Sequence, residues 1–600
     1  MIRILQVLLD TILIVLSTWN VAIAPYTKVE ESFNVQAVHD LITLGLDQID
    51  QFDHIHFPGA VKRTCVSALI LALPTILLKS SAKRWALGIA GVCVTINTIF
   101  PTPLSKFSTS TIQLILTETK LYHLLLCRVI LALLSCGSII YLRRSVERSC
   151  SKRTKTIGIW LSLFLYPMPH YLFYSSRFLP NFLCLPLVNI AIAHFISGDV
   201  TRSIALFTLI GVIFRFEILV FTAILCFLST TGILGRQKLL SLKSAVVAIA
   251  ISGIFSLFLT GRLDSYFWDT LSFPEIESFF FNVVDGNSSQ WGVEPLHSYF
   301  MKYIPRLFAS GLETVPILAL GFLTVSLKQR FKKDSVSVDY TNYGVGTITT
   351  LMWTSLLYVF AVSLNGHKEW RFISYTIPVI CIGASCSTQF IIHSSKRYMR
   401  TLIYLILVLT FVSSVASSIV FSLISSWNYA GGNAAQKLNL RIIEKYQNDL
   451  SMLKPVTVHW DVGTCMNGAS RFTQIGDNKF LRDVFKDEIT IPRYWVIYDK
   501  TETLYELTQA VNYFDYWIQY EDEPLLPLDN GYEWLLIDVE EGYSGLNWKT
   551  LKSLIESPKH VLYQATNAIK TSDTKWFRNL FDSLVMKEIK ARIYERSVIE

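Results

Sequence analysis

The sequence predicts a polytopic α-helical membrane protein with a small α/β domain at its C-terminal end, and three observations support this fold class. The chain has 600 residues, of which 51% are hydrophobic and only 17% are charged, where soluble domains carry about a quarter of charged residues. Apolar runs long enough to cross a bilayer recur as far as residue 426. Beyond that point, short β-rich runs alternate with more polar helical stretches. We therefore expect a transmembrane domain over residues 1–426 and a small α/β domain over residues 427–600.

The apolar runs predict about 13 transmembrane helices, because each is close to the length that spans the hydrocarbon core. They lie near residues 4–24, 63–79, 85–103, 121–142, 156–174, 178–198, 203–216, 217–233, 242–261, 309–327, 345–365, 372–390 and 401–426. The first run could instead be a cleaved signal peptide, since Ala22-Ile23-Ala24 resembles a cleavage site. Either alternative leaves residues 25–62 on the same side of the membrane.

Basic residues concentrate in alternate loops and so predict the orientation. These loops lie near residues 79–84, 143–155, 236–243, 328–333 and 396–400. An excess of Lys and Arg marks the cytosolic side, and this bias explains the net charge of +8 without a nucleic-acid partner. The luminal face then holds the loops 25–62 and 262–308 and the C-terminal domain. The 262–308 loop contains the sequon Asn287-Ser288-Ser289, which predicts N-glycosylation of Asn287.

Ionisable side chains collect directly after the first apolar run. The segment PYTKVEESFNVQAVHD, residues 25–40, carries Lys28, Glu30 and Glu31, and the motif QFDHIHFPG adds Asp53 and His54. Ionisable residues are costly in lipid and normally face a cavity or one another. We therefore expect Glu30 and Glu31 to lie at an active site on the luminal face.

Later luminal segments bring further charge to the same face. The motifs are SSRFLPN with Arg177, FRFE with Arg215 and Glu217, RLDSYFWD with Asp264 and Trp268, NSSQWGVEP with Trp291, and NGHKEWRF with His367, Lys368, Glu369 and Arg371. Each motif alone could be an ordinary interfacial ion pair or a structural loop residue. Their convergence on one face is what predicts a site.

Acidic residues in the first loop and cations in later loops fit a transferase that uses a phosphate-linked lipid donor. One carboxylate takes the proton of an acceptor hydroxyl, and cations hold the phosphate as it leaves. Single displacement would invert the sugar anomer. A transporter is the alternative outside the enzymes, although its charges are typically near the bilayer midplane on broken helices. A membrane scaffold is a third possibility, which would not need the acidic first loop.

In order and spacing, these motifs resemble the dolichol-phosphate-mannose-dependent mannosyltransferases of glycosyltransferase family 22, over about residues 20–432. The resemblance implies a GT-C glycosyltransferase fold in the endoplasmic reticulum membrane, a luminal active site, and neither a metal nor another cofactor. It implies dolichol-phosphate-mannose as donor and a dolichol-pyrophosphate-linked oligosaccharide as acceptor. Other members carry His-Pro-Asp-Glu where this chain has Lys28-Val29-Glu30-Glu31.

This form of the motif resembles the subgroup that adds an α-1,6-linked mannose to the seven-mannose oligosaccharide. The alternative within the family is a different step on the same oligosaccharide or on a glycolipid anchor. Alignment with the family's Asp favours Glu30 as the base over Glu31, which would orient the substrate or the loop. The resemblance places His367, Lys368, Arg371 and Arg177 at the donor phosphate. The resemblance also implies that a further set of residues binds substrate, namely Lys28, Asp53, His54, Arg215, Glu217, Asp264, Trp268, Trp291 and Glu369.

For the C-terminal domain we expect a packing or lid role without chemistry. Its predicted strands are Val456–Trp460, Tyr494–Tyr498, Tyr516–Tyr520, Trp534–Val539 and Val561–Gln564, with a helical stretch near 501–511 and a turn over 428–433.

Overall fold

The computed structural model describes residues 2–99, 102, 104, 107–150, 156–234, 237–309, 311–331, 342–446, 455–475, 496–520, 524–529, 531–571 and 573–599. The chain forms two compact units. The first unit comprises Met1–Thr18, Asp53–Ile70 and Val129–Val420. The second unit comprises Trp19–Phe52, Leu71–Arg128 and Phe421–Glu600. The predicted boundary at residue 426 stays a prediction.

The described part of the chain is mostly helical. Its longer α-helices are Ile2–Ile23, Ser32–Thr43, Val66–Leu77, Lys79–Ile99, Thr109–Glu118, Leu121–Cys150, Thr156–Leu165, Pro180–Ser197, Val200–Ile213, Glu217–Thr231, Leu242–Trp268, Thr314–Phe331, Asn342–Ser363, Ile377–Ser394, Arg397–Ser426, Ala430–Tyr446, Pro558–Lys570 and Thr574–Leu584. Shorter α-helices are Asp53–His56, Pro169–Tyr174, Pro274–Phe279, Ile304–Phe308, Val462–Met466, Leu504–Ala510 and Trp548–Glu556. All thirteen predicted runs overlap these helices.

Among the described residues, seven helices are long and apolar enough to cross a membrane. They are Ile2–Ile23, Leu121–Ser149, Pro180–Ser197, Leu242–Trp268, Gly344–Ser363, Trp370–Ser394 and Arg397–Ser426. Five further apolar helices are shorter. The multi-pass character is thus confirmed, while the number of thirteen spans stays a prediction.

Local chemistry fixes where these helices start and stop. Pro180 stands in the first turn of its helix, where its missing N–H costs no hydrogen bond. The same helix ends at Gly198 with φ of 96°, a left-handed conformation that glycine adopts without strain. Ser241 caps the helix Leu242–Trp268, since its Oγ accepts from the Ser244 N–H at 3.0 Å.

The core of the first unit is a continuous apolar cluster between helices. Leu185, Phe207 and Ile382 are fully or almost fully buried in it, and they come from three different helices. In contrast, Leu405 and Val412 on the helix Arg397–Ser426 are exposed. Large apolar side chains on the outside of a membrane helix face lipid.

A five-stranded sheet lies in the second unit. Its strands are β1 (Val456–Trp460), β2 (Val496–Asp499), β3 (Tyr516–Gln519), β4 (Tyr532–Leu546) and β5 (Val585–Val598). The strand order is β2-β1-β3-β5-β4. Strand β1 pairs in parallel with β2 and β3, while β5 pairs antiparallel with β3 and β4. The parallel pairs, together with a long antiparallel pair β4–β5 whose strands are connected through three helices, make the predicted α/β domain.

Four of the five predicted strands are confirmed, although Tyr494 and Trp495 lie outside the described residues. The predicted strand Val561–Gln564 is wrong, because it lies in the helix Pro558–Lys570. Val561 is half-buried and Ala568 is buried there, and their spacing of seven is a helical repeat. The predicted turn over 428–433 is wrong from Ala430, where a helix begins. Strand β5 was not predicted.

The helix Ala430–Tyr446 packs on the sheet and forms the core of the second unit. Its Leu438 and Ile442 are buried together with Val458 of β1, Ile518 of β3 and Ile593 of β5. The loop after the first helix also belongs to this unit, so its segment 25–40 lies with the sheet domain.

Candidate functional site

The two acidic residues of the first loop differ sharply in exposure. Both lie in the 3₁₀-helix Val29–Glu31, which leads into the α-helix Ser32–Thr43. The side chain of Glu30 is exposed, whereas Glu31 is only 3% exposed. Successive residues of a 3₁₀-helix point about 120° apart, which is why one carboxylate faces out and the next faces in. Of the two, only Glu30 has an exposed side chain.

The segment before Glu30 is held by residues of the C-terminal part of the chain. Tyr26 is buried at 1% exposure. The Lys28 ammonium donates a hydrogen bond to Asn467 Oδ1 and lies 5.8 Å from the ring centre of Tyr429. In this structure Lys28 therefore contacts protein groups, and its predicted substrate contact stays a prediction.

A buried ionic group lies at the far end of the helix Ser32–Thr43. Arg471 Nη1 donates to Asp40 Oδ1 at 2.6 Å, and His39 Nδ1 lies 2.8 Å from the same oxygen. Lys120 Nζ is 3.2 Å from His39 Nε2. Burial, followed by the charge of Lys120, lowers the pKa of His39 to about 4. His39 is therefore neutral at physiological pH.

In the first unit, Glu217 is the acceptor of a polar network. Arg215 Nε donates to Glu217 Oε1 at 2.9 Å, and Asn181 Nδ2 donates to the same oxygen at 3.1 Å. Tyr375 Oη is 3.3 Å from it, and Arg215 also lies 5.6 Å from the ring centre of Phe372. The carboxylate of Glu217 therefore fixes the guanidinium of Arg215.

Arg63 and Glu275 join this network, and neither was among the predicted site residues. Glu275 Oε2 accepts from the Phe216 N–H at 3.0 Å. Burial raises the pKa of Glu275, while the charges of Arg215 and Arg63 act in the opposite direction. Burial and the positive charges of Arg215 and Arg371 lower the pKa of Arg63. The fold thus places the guanidinium of Arg63 within electrostatic range of those of Arg215 and Arg371.

At the start of the 3₁₀-helix Trp370–Thr376, two of the predicted residues, His367 and Arg371, contact the carboxylate of a third, Glu369. His367 Nε2 lies 3.0 Å from Glu369 Oε1, and Arg371 Nη2 donates to that oxygen at 2.8 Å. Burial alone would raise the pKa of Glu369, but Arg371 and His367 hold it below its ordinary value. Glu369 is therefore ionised, and its carboxylate positions the side chains of both His367 and Arg371.

The ammonium of Lys368 does not contact Glu369 but connects two loops through hydrogen bonds to their backbone carbonyls. Its ammonium donates to the carbonyls of Glu294 at 3.0 Å and Asn365 at 2.6 Å. The residue is 4% exposed. Tyr303 Oη also donates to the Lys368 carbonyl at 3.0 Å. The geometry supports a structural contact, and the phosphate role of Lys368 stays a prediction.

Asp264, Trp268 and His54 attach the 53–65 loop to the helix Leu242–Trp268. Asp264 Oδ1 accepts from the Cys65 N–H at 2.7 Å and from Thr64 Oγ1 at 3.2 Å. The Trp268 indole donates to the Arg63 carbonyl at 3.0 Å. His54 Nε2 lies 2.9 Å from the Phe267 carbonyl, and its ring meets Trp268 edge-on at 4.6 Å. These contacts position Arg63.

The remaining predicted residues occupy separate places in the first unit. Arg177 is fully buried, with its guanidinium 4.6 Å from the Phe173 ring centre. Asp53 is buried in the helix Asp53–His56. Trp291 is 62% exposed, and Asn287 is half-buried at the start of the 3₁₀-helix Asn287–Trp291.

The structure therefore unites Arg215, Glu217, His367, Glu369 and Arg371 in the first unit and adds Arg63 and Glu275. Glu30, Glu31 and Lys28 lie in the second unit. Two residues outside the predicted set contact the same first loop: Asn467 contacts Lys28, and Arg471 contacts Asp40. Arg63 follows Lys62 at the start of a predicted apolar run, and this pattern marks it only as an ordinary interfacial charge. No local pattern marks Arg471, because its partner Asp40 is 431 positions away.

Comparison with known proteins identifies the family. The sequence model of the Alg9-like mannosyltransferase family matches residues 8–464. The chain is 30% identical over 572 residues to the Saccharomyces cerevisiae Dol-P-Man:Man(7)GlcNAc(2)-PP-Dol alpha-1,6-mannosyltransferase, covering 91% of this chain and 90% of that protein. It is 28% identical to the Arabidopsis thaliana protein of the same name, covering 78% and 80% of the two chains.

Among solved structures, ArnT from Cupriavidus metallidurans in the apo state aligns with a TM-score of 0.48 and 10% identity over 86% of this chain and 92% of that one. The family match spans well over half of the sequence and includes the acidic first loop and the motif around Arg371. The chain belongs to the Alg9-like mannosyltransferase family.

Proposed function

We propose that this protein transfers mannose from dolichol-phosphate-mannose to the seven-mannose dolichol-pyrophosphate-linked oligosaccharide, forming an α-1,6 linkage with inversion. The observation that carries the proposal is the similarity to relatives named for this reaction over nearly the full length of both chains. A membrane protein that has, within the described part of its chain, seven helices able to span a bilayer suits two substrates that are anchored in lipid. We place the reaction at the luminal face of the endoplasmic reticulum membrane, with Asn287 on that face as its glycosylation site.

In this reaction, Glu30 takes the proton from the 6-hydroxyl of an acceptor mannose. The freed oxygen forms a bond to C1 of the donor mannose, while the bond from C1 to the phosphate oxygen breaks. Dolichyl phosphate leaves with the electron pair of that bond. The exposure of Glu30 supports its role as base, and the burial of Glu31 supports a role in orienting the loop.

The phosphate requires cations whose positions are fixed before it binds. Arg371 meets this need, since Glu369 holds it in place and its side chain is partly exposed. Arg215 and Arg63 supply further positive charge to the same network. We retain His367, Lys368 and Arg177 as proposed phosphate contacts. Trp291 offers an exposed ring on which an acceptor sugar can stack.

The test is transfer by the purified full-length protein in detergent. Labelled dolichol-phosphate-mannose is supplied with oligosaccharide acceptors of five to nine mannoses, and no ion gradient is present. We expect labelled product from the seven-mannose acceptor and background counts from the others. Transfer to another acceptor alone would assign the protein to a different step of the family. Absence of transfer, together with substrate flux in sealed vesicles, would favour a transporter.

A further inference from the structure

We propose that the chain beyond residue 427 is a positioning element for the catalytic loop, and that Gly432, Gly468 and Arg471 hold Glu30 in its working place. This inference rests on the proposed function, because it assigns Glu30 the role of base. It goes beyond the expectation of a packing or lid role for this part of the chain. The contacts that carry it all lie within the second unit.

Two glycines, Gly432 and Gly468, pack closely against Tyr26, which lies four residues before Glu30. A Cβ on Gly432 would lie 2.7 Å from Tyr26 Cγ. A Cβ on Gly468 would lie 3.2 Å from Tyr26 Cβ, and Gly468 has a φ of +120°. Contacts below 3.0 Å require something to move, and the neighbouring group here is a buried ring that cannot swing away. Only glycine allows the C-terminal backbone to approach Tyr26 this closely.

The same region also holds Lys28, two residues before Glu30. Asn467, the neighbour of Gly468, accepts a hydrogen bond from the Lys28 ammonium. Tyr429, three residues before Gly432, lies under that ammonium at 5.8 Å. The two segments that pack against Tyr26 therefore also hold the ammonium of Lys28.

Arg471 fixes the chain on the other side of Glu30. Its guanidinium donates to Asp40 Oδ1 at 2.6 Å and to the Gln51 carbonyl at 3.1 Å. Its backbone N–H donates to Gln36 Oε1 at 3.2 Å. Asp40 is fully buried, and a buried carboxylate without a cation is strongly unfavourable. The helix Ser32–Thr43 is thus anchored through its last turns.

Glu30 therefore lies between two anchors, Tyr26 and Lys28 before it and Asp40 after it. Its own side chain is exposed. A misplacement of about 1 Å costs a positioned catalytic group about a hundredfold in rate. Loosening either anchor should lower kcat without changing how the lipid-linked substrates bind. Gly432, Gly468 and Arg471 are positioning residues in this sense, since they act through Glu30.

The experiment compares Gly432→Ala, Arg471→Ala and Arg471→Lys in the full-length protein, with Arg578→Ala as the matched control. Arg578 is an exposed residue on the helix Thr574–Leu584. We expect kcat to fall at least tenfold in Gly432→Ala and Arg471→Ala, with both KM values within twofold of wild type. Arg471→Lys keeps the charge opposite Asp40 and should recover part of kcat. Arg578→Ala should match wild type.

The decisive comparison repeats Arg471→Ala in a Glu30→Gln background. Because Arg471 acts through Glu30, it should cost little further rate once the base is gone. An equal loss in both backgrounds, or a change in KM alone, would overturn the inference. Hydrogen exchange of residues 25–40 gives a readout that does not depend on the reaction. Faster exchange is expected in Gly432→Ala and Arg471→Ala, and unchanged exchange would refute the anchoring. A wild-type protein without transferase activity would refute the proposed function instead.

Discussion

Glutamine at position 30 removes the carboxylate of Glu30 and preserves its size. Because Glu30 is exposed, the change should alter the free energy of unfolding by less than about 0.5 kcal/mol. A positioned general base contributes about 10²- to 10⁴-fold in rate, which corresponds to about 3 to 5 kcal/mol of activation free energy. The expected result is therefore a loss of kcat by two to four orders of magnitude in a protein that remains fully folded.

The assay is a single-turnover measurement of mannose transfer at saturating donor and acceptor, with thermal unfolding and donor binding measured on the same preparation. Glu31→Gln is the matched control, since it makes the same chemical change at a buried position. We expect Glu31→Gln to lower stability and to affect rate less than Glu30→Gln does. Full activity in Glu30→Gln would refute the assignment of the base. A severe kinetic loss confined to Glu31→Gln would exchange the two roles.

Three further substitutions or conditions test other parts of the account. Arg371→Ala should raise KM for the donor by about tenfold to a hundredfold, because a charge-assisted bond to the phosphate contributes about 1.5 to 3 kcal/mol; a change in acceptor KM alone would contradict this. Glu217→Gln should lower the free energy of unfolding by about 1 to 3 kcal/mol, measured by denaturation, since it removes the counter-charge of Arg215; unchanged stability would show that the pair is dispensable. Stability should also fall as the pH drops below about 6.5, because His39 has a lower pKa in the folded state than in the unfolded state, so that the unfolded state binds more protons. From about pH 7.5 to pH 5.5 this loss is about 1.3 kcal/mol, and a His39→Gln variant that kept the same pH slope would refute it.

The helices could be predicted from the sequence because their apolar length and their end signals are local. Pro180 and Gly198 bracket one helix in the manner the pattern indicates. The segment Val561–Gln564 predicts a strand although it lies in the helix Pro558–Lys570, because Val561 and its neighbours form a short apolar run, which periodicity alone cannot assign. Strand β5 could not be predicted, because many charged residues lie between its apolar residues. Its pairing with β4 also depends on a segment that is distant in the sequence.

In the candidate site, too, contacts within one motif could be predicted from the sequence, whereas contacts between distant segments could not. Glu369 with His367 and Arg371 could be inferred, because the three are neighbours in one motif. Arg63 could not, since its relation to Arg215 depends on how the 53–65 loop is attached to a helix two hundred residues later. Arg471 is the extreme case, because its contact with Asp40 arises only when the C-terminal part folds against the first loop.

The geometry also qualifies the role of Lys368. From the sequence, its charge in a luminal motif predicts a phosphate contact. In the structure its ammonium is occupied by two backbone carbonyls, Glu294 and Asn365. This structural contact of Lys368 depends on the path of two loops, so the residue pattern does not predict it.

The central claim is the identity of the bond that this protein makes. The most direct test is linkage and anomer analysis of the eight-mannose product formed by the purified wild-type protein from dolichol-phosphate-mannose and the seven-mannose acceptor. The account predicts one new mannose in an α-1,6 linkage, with the anomeric configuration inverted from that of the donor. A product with another linkage, or one with the donor's configuration retained, would contradict it.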